Sequence, residues 1–312
     1  MTATERQQMR PNYGIIAILL AGAFVSILNS TLLNVALPSM MTDFDVSATT
    51  IQWLATGYML INGIIIPTTA YLIQKYSVRN LFITAMILFT IGTVLSGFAP
   101  SFAFLLIGRM IQAAGSAIMM PLLMNVLLIS FPIEKRGSAM GVLGLVMTFA
   151  PAIGPTLSGW IIEHYDWRYL FYMIIPIAVI VLLLSIFKLK DTKEKSNASL
   201  DTLSVIFSSI GFGGLLYGFS SAGDKGWGDF EVYSTLSAGV IALVLLIVRQ
   251  FKIEKPMLDF RVYKYPMFSL SSAISIVVNM AMFSAMILMP IYLQNIRGIS
   301  PLDSGLLMLP GA

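Results

Sequence analysis

Apolar stretches long enough to cross a membrane recur along this chain. They fall near residues 14–38, 50–73, 80–99, 102–129, 138–162, 169–187, 202–220, 233–250 and 267–292, with short polar segments between them. About 20 apolar residues in an α-helix, rising 1.5 Å each, span the ~30 Å hydrocarbon core of a bilayer. The pattern therefore predicts nine transmembrane helices. A tenth apolar run opens at Leu302 and reaches Ala312 after too few residues to cross, so the sequence is expected to be part of a longer chain. The polar stretch from Met1 to Asn12 leads into a first run with no small-residue cleavage site behind it. That run is read as a retained helix, not a signal peptide.

Charge changes the picture from greasy to oriented. Hydrophobic residues make up 57% of the 312, and charged residues only 11%, whereas a soluble domain carries about 25% charge. Lipid must therefore be the solvent for most of the surface, and the fold class is an all-α membrane protein. The net charge of +4 points to no nucleic-acid partner, because the basic residues sit in short clusters between the apolar runs. If the helices alternate, one side holds Arg6, Arg10, Lys75, Arg79, Lys135, Arg136, the Lys188–Lys195 cluster and the Arg249–Lys264 cluster. That side takes 15 of the 19 Lys and Arg residues; the other has only Arg168, Lys225 and Arg297. The positive-inside rule then places the N-terminus in the cytoplasm of a multi-pass cell-membrane protein.

Several chemistries drop out. There is no cysteine, and His164 is the only histidine, so Cys-ligated metal, a His metal site and a catalytic triad are not expected. No G-x-x-x-x-G-K-[ST] phosphate loop occurs, so ATP drive within this chain is not expected either. The spans hold no paired carboxylates and no nucleophile–base pair, which argues against a membrane enzyme.

Charge inside a bilayer is costly and marks function. Arg109 stands about seven residues into the fourth run, roughly 10 Å below the surface at 1.5 Å per residue. Asn29, nine residues before Pro38 on the first run, lies at a similar depth, so its carbonyl can accept from the guanidinium. Arg109 is expected to bind cargo or tune a proton-binding group, the alternative being a structural Arg held by helix carbonyls. In the fifth run, Pro151 and Pro155 lack N–H groups and leave the carbonyls of Met147 and Pro151 without helical partners. Small residues four apart, as at 154 and 158 or 155 and 159, let a neighbouring helix approach closely. A broken, small-surfaced helix suits a seam between moving bundles. Met119 and Met120 lie near the expected centre, and Trp53 and Tyr58 are candidate cavity-facing aromatics.

The stretch Gly144 to Gly159, with Pro151, Gly154 and Pro155, resembles the antiporter signature of drug exporters in the major facilitator superfamily. Leu28-Asn29-Ser30-Thr31 through Pro38 resembles the first-helix motif of that group, and Trp53 with Tyr58 its second helix. Arg109-Met-Ile-Gln112-Ala-Ala-Gly115 is similar to its fourth-helix motif. Asp166-Trp167-Arg168 followed by Pro176, then Pro290 with Tyr292, Gln294, Ser300-Pro301 and Gly305, continue the likeness. The nearest group is the fourteen-helix drug:proton antiporter family, and Asn29 with Gln74 resembles its lincomycin-resistance branch.

The resemblance implies a six-helix bundle over 1–187, a charged cytoplasmic linker over 188–200, two extra spans over 201–250 and the start of a second bundle over 251–312. It implies a monomer that exports small hydrophobic or cationic drugs against protons by alternating access, with the proton gradient in place of a cofactor. Arg109 would line or tune the cavity, Asn29 and Gln112 would supply hydrogen bonds, and Gly144 to Gly159 would form the seam. Two positions depart from the pattern. The family's first-helix motif usually has Asp where this chain has Asn29, and an amide cannot carry a proton near neutral pH. The cytoplasmic motif reads Gln74-Lys75 through Arg79, with Gln74 in place of an acid, which weakens the expected inner gate. With no acid in mid-span, the coupling group is expected to be Asp201 or to lie beyond residue 312. An importer of the same fold and a non-transporting membrane binding protein are the alternatives.

Overall fold

The computed structural model describes residues 12–189, 201–253, 256 and 258–308. Among these, nine helices have the length and apolar character to cross a bilayer. They are α1 (Tyr13–Phe44), α2 (Ala48–Lys75), α3 (Val78–Gly97), α4 (Phe102–Ser130), α5 (Ile133–His164), α6 (Tyr169–Lys188), α7 (Thr202–Lys225), α8 (Phe230–Lys252) and α9 (Pro266–Ile291). A π-helical turn (Tyr292–Ile296) and the short α10 (Pro301–Met308) follow. The arginines at 6 and 10, the linker cluster after Leu189 and the chain after Met308 lie outside the described residues.

Helix starts follow from local chemistry. Ser47, Ser77 and Ser101 each place a hydroxyl on the N–H three residues on, at 3.1, 3.3 and 3.4 Å, which satisfies one of the orphan donors of a helix N-terminus. Several ends lie beyond the apolar runs. The first run was expected to stop near Pro38, yet α1 continues to Phe44. Pro38 is kept inside the helix, and its carbonyl accepts from the Thr42 hydroxyl at 3.2 Å. Proline is tolerated in membrane helices where neighbouring helices pack against the site of the lost N–H.

Helices α1 to α6 form one bundle, with α1 packed on α4, α5 and α6, and α3 packed on α4 and α6. Small residues bring α3 and α4 to backbone contact. A Cβ on Gly115 would fall 2.3 Å from the Ala85 carbonyl oxygen, and one on Gly92 would fall 2.4 Å from the Gln112 nitrogen. Without the hydrophobic effect to drive helices together in lipid, such approach is what packs them. Phe82, Phe89, Trp167 and Phe171 are fully buried in this bundle. The α7–α8 hairpin lies against α2, while α9 touches α1 and α10 packs on α5.

Candidate functional site

The centre of the bundle is polar and closed. Arg109 on α4 is only 1% exposed, and around it Asn29, Tyr58 and Gln112 are buried. Its Nη1 donates to Asn29 Oδ1 on α1 at 2.9 Å and to Gln112 Oε1, one turn along α4. The Tyr58 ring of α2 lies 4.3 Å from the guanidinium carbon, a cation–π contact that strengthens as water is excluded. Gln112 Nε2 in turn donates to Thr93 Oγ1 of α3 at 2.8 Å, and that hydroxyl donates to the Phe89 carbonyl at 2.6 Å. The Thr93 proton is thus committed to Phe89, so the hydroxyl is an acceptor toward Gln112 and the Gln112 oxygen is turned to Arg109.

Four helices therefore converge on one cation, and every partner is neutral. The expected alternative, an Arg held by helix carbonyls, is not what the bonds display; side-chain amides hold it. The Arg109 Nε is buried with no acceptor. An ionised side chain with a spare donor and no counter-charge is an unusual state for the interior of a membrane bundle.

A second feature lies across α1. Thr31, two residues after Asn29, has its hydroxyl 3.4 Å from the Ala150 carbonyl of α5, and Ser158 donates to the Leu32 carbonyl at 2.6 Å. Gly154 faces Thr31 closely, since a Cβ there would fall 2.3 Å from the Thr31 hydroxyl oxygen. Toward its far end α5 meets α10 backbone to backbone. A Cβ on Gly159 would fall 2.3 Å from the Pro301 carbonyl oxygen, and one on Gly305 would fall 2.3 Å from that of Pro155. Thr156 donates to the Gly305 carbonyl at 3.3 Å, and the Leu302 N–H reaches Glu163 at 3.3 Å. Between α5, α9 and α10 lies a cavity of about 560 Å³ whose ten lining residues include Pro151, Pro155, Met282, Met286, Met289 and Met308, none of them charged.

The remaining expected residues separate. Trp53 does not join Arg109; it packs on Tyr217 of α7, ring centres 5.7 Å apart. Gly144 has open space where a side chain would go, so the close approaches of α5 to its neighbours fall at Gly154 and Gly159 and not at Gly144. Gln74 and Lys75 are exposed, with Lys75 over the rings of Tyr71 and Tyr76. Arg79 donates to the Ile186 carbonyl of α6 at 3.1 Å. Asp201 caps α7 and forms an ion pair with Arg249 of α8 at 2.8 Å, away from the Arg109 cluster. Met119 is fully buried packing.

Sequence reasoning missed two groups. The cavity methionines at 282, 286 and 289 share one face of α9, and their spacing of four and three residues was the available signal. Asp43, at the end of α1, accepts from Trp167 Nε1 and Arg168 Nη1, both at 3.1 Å. Arg168 also stacks on Trp167 at 4.2 Å and donates to the Ala99 carbonyl. This joins the α1, α3 and α6 ends on the side opposite Lys75.

Comparison with known proteins decides the family. Residues 19–312 match the Major Facilitator Superfamily. The chain belongs to that superfamily. It is therefore a transporter-type membrane protein and not an enzyme. It is 53% identical over its whole length to an uncharacterized MFS-type transporter, YhcA, of Bacillus subtilis, and covers 58% of that protein. It is 41% identical to the lincomycin resistance protein LmrB of the same organism, over 99% of this chain and 65% of that one. The chain thus spans about three-fifths of the length of the curated relatives it matches. A peptide transporter, POT, solved with sulfate shares the fold with TM-score 0.58 at 11% identity, over 78% of this chain and 53% of that one.

Proposed function

We propose that this superfamily member exports small amphipathic, drug-like compounds by alternating access, coupled to proton entry. The observation that carries the reading is the α5 seam. Pro155 and Gly159 meet Gly305 and Pro301 with backbones in contact, where the six-helix bundle touches the segment that opens the second bundle. A contact with no side chains in the way lets two rigid halves rock without repacking a core. The lincomycin resistance and multidrug transporter names carried by relatives support export as the direction.

In this reading residues 1–187 are the first bundle, α7 and α8 are two linker spans of a fourteen-helix layout, and the basic ends of the helices face the cytoplasm with the N-terminus. Asn29, Arg109, Gln112 and Tyr58 form the polar centre, and Asp43 with Arg168 ties the outer ends. Asp201 serves the α7–α8 hairpin, not proton transfer. Burial pushes its carboxyl up, but hydrogen bonds from Arg249 and Ser204 outweigh that and hold it below its ordinary value. A group held ionised by a neighbouring Arg does not pick up protons near neutral pH. The coupling group is accordingly assigned outside the described spans.

The test is accumulation of antibiotics and lipophilic dyes by inverted membrane vesicles from cells producing the intact protein. An inward-acid gradient is expected to drive uptake, and a protonophore to abolish it. Uptake only in right-side-out vesicles would instead mark an importer, and ligand binding with no flux in either a non-transporting protein.

A further inference from the structure

We infer that Gln294 is a positioning residue for cargo movement. Its bond to the Val35 carbonyl clasps α9 onto α1 in one state of the transport cycle, and its release frees the α9 wall of the methionine-lined cavity to move. The inference rests on the export reading for there being a cycle, and on the joint between α9 and α10 for the clasp.

The end of α9 is not that of an ordinary helix. Pro290 has no N–H, so the Met286 carbonyl lacks its helical partner. The Tyr292 N–H is shared between the Leu288 and Met289 carbonyls, and the Arg297 N–H reaches back five residues to the Tyr292 carbonyl at 3.1 Å. The Ile299 N–H reaches back six, to Leu293 at 3.0 Å, across Gly298 with φ at +65°. A π turn fits about one residue more than an α turn, which re-aims the side chains within and after it, and such turns are frequent at functional sites. Here Leu293 lines the cavity, and Gln294 beside it donates to the Val35 carbonyl of α1 at 3.2 Å. Both are partly buried, while Asn295, Ile296 and Arg297 are exposed.

Val35 is fully buried, and a helix carbonyl has a second lone pair free for such a bond. The joint is also fastened to α5, where the Leu302 N–H reaches Glu163 and Thr156 donates to the Gly305 carbonyl, both at 3.3 Å. Gln294 and Leu302 lie on either side of Gly298, so the end of α9 and the start of α10 are held to the first bundle at separate points around one left-handed residue. A single neutral hydrogen bond is weak enough to break within a cycle, yet strong enough to bias two states severalfold. Breaking it lets the end of α9 leave α1 and carry Leu293, Met289 and Met286 with it, which are one wall of the cavity. Closure of α9 on α1 and the shape of the cavity are thereby set by adjacent residues of one turn.

Pulsed electron paramagnetic resonance on the intact protein in nanodiscs tests this, in a cysteine-free background with spin labels on Ala48→Cys, at the start of α2, and Arg297→Cys, after the π turn. The parent is expected to show a short-distance and a long-distance population. Gln294→Met keeps the length and removes the donor, and Gln294→Glu keeps the shape and has no N–H when ionised. Each is expected to lower the short-to-long ratio at least about threefold, the scale of one net hydrogen bond. Asn295→Met, at the exposed neighbour, is expected to leave the ratio at the parent value. An unmoved ratio in either Gln294 variant that folds overturns the inference, whatever its melting temperature does. So does an equal shift from Asn295→Met. Distances are read without cargo or gradient, so failed export in vesicles would defeat the export reading and leave the clasp standing.

Discussion

Arg109 Nη1 of α4 donates to Asn29 Oδ1 of α1 at 2.9 Å, and this bond joins a buried cation to an amide and not to an acid. The pair holds α1 to α4 at the polar centre. It cannot release or take up a proton there, because neither group titrates near neutral pH.

Removing one acceptor should therefore cost stability, and removing both should cost less than the sum. A hydrogen bond to a charged group contributes about 1.5–3 kcal/mol. Asn29→Ala and Gln112→Ala are each expected to lower the unfolding free energy by about that much. Denaturant unfolding of the detergent-solubilised protein measures it, and the double variant reports the coupling. Additive losses would mean that the two amides do not share Arg109.

The α5–α10 seam separates two glycines that look alike in sequence. Any side chain on Gly159 meets the Pro301 carbonyl, while Gly144 has open space. Gly159→Ala is expected to lower cargo flux roughly tenfold or more, an activation cost of about 1.4 kcal/mol, while Gly144→Ala leaves it near the parent level. Vesicle uptake rates decide. Equal effects would remove the special standing of the Pro155–Gly159 end.

Asp201→Asn separates structure from coupling. Drug-driven proton movement is expected to continue unchanged, while heat stability falls by about 1 kcal/mol, the scale of a partly exposed ion pair. The sign with pH follows from the lowered Asp201 pKa. The contribution is complete at neutral pH and is lost only as pH falls through that lowered value. A loss of coupling in the Asn variant would return Asp201 to the proton path.

At the helix ends that Asp43 and Arg168 join, Trp167 is fully buried and Trp160 is half exposed. Trp167→Ala is expected to destabilise by about 3–5 kcal/mol, as large buried truncations do. Trp160→Ala should stay within about 0.5 kcal/mol. Thermal melts of the two variants check this.

The helices were legible because a bilayer imposes one length and one polarity on every span, so hydropathy alone marks them. The meeting of Asn29 with Arg109 was legible for a related reason: counting residues from the helix ends gives depth, and two polar groups at one depth have few other partners. Trp53 and Tyr58 show where counting stops. Five residues apart on a helix places them about 140° from each other, so one cannot join Arg109 while the other does, and sequence does not say which. The ion pair of Asp201 with Arg249 depends on how the α7–α8 hairpin closes, and the cavity at Met282 and Met308 depends on where α9 and α10 dock. Neither is a local property of the chain.

The central claim is that the buried positive charge of Arg109 serves cargo movement beyond its part in holding α1 to α4. Cargo flux and melting temperature of Arg109→Leu, set beside Arg109→Lys in the same vesicle preparation, test it most directly. The account predicts that the Leu variant still folds into the membrane, though less stable than the parent because both amide bonds are lost, and loses at least about tenfold in flux, with Lys retaining more than Leu. Full flux in Arg109→Leu would contradict it.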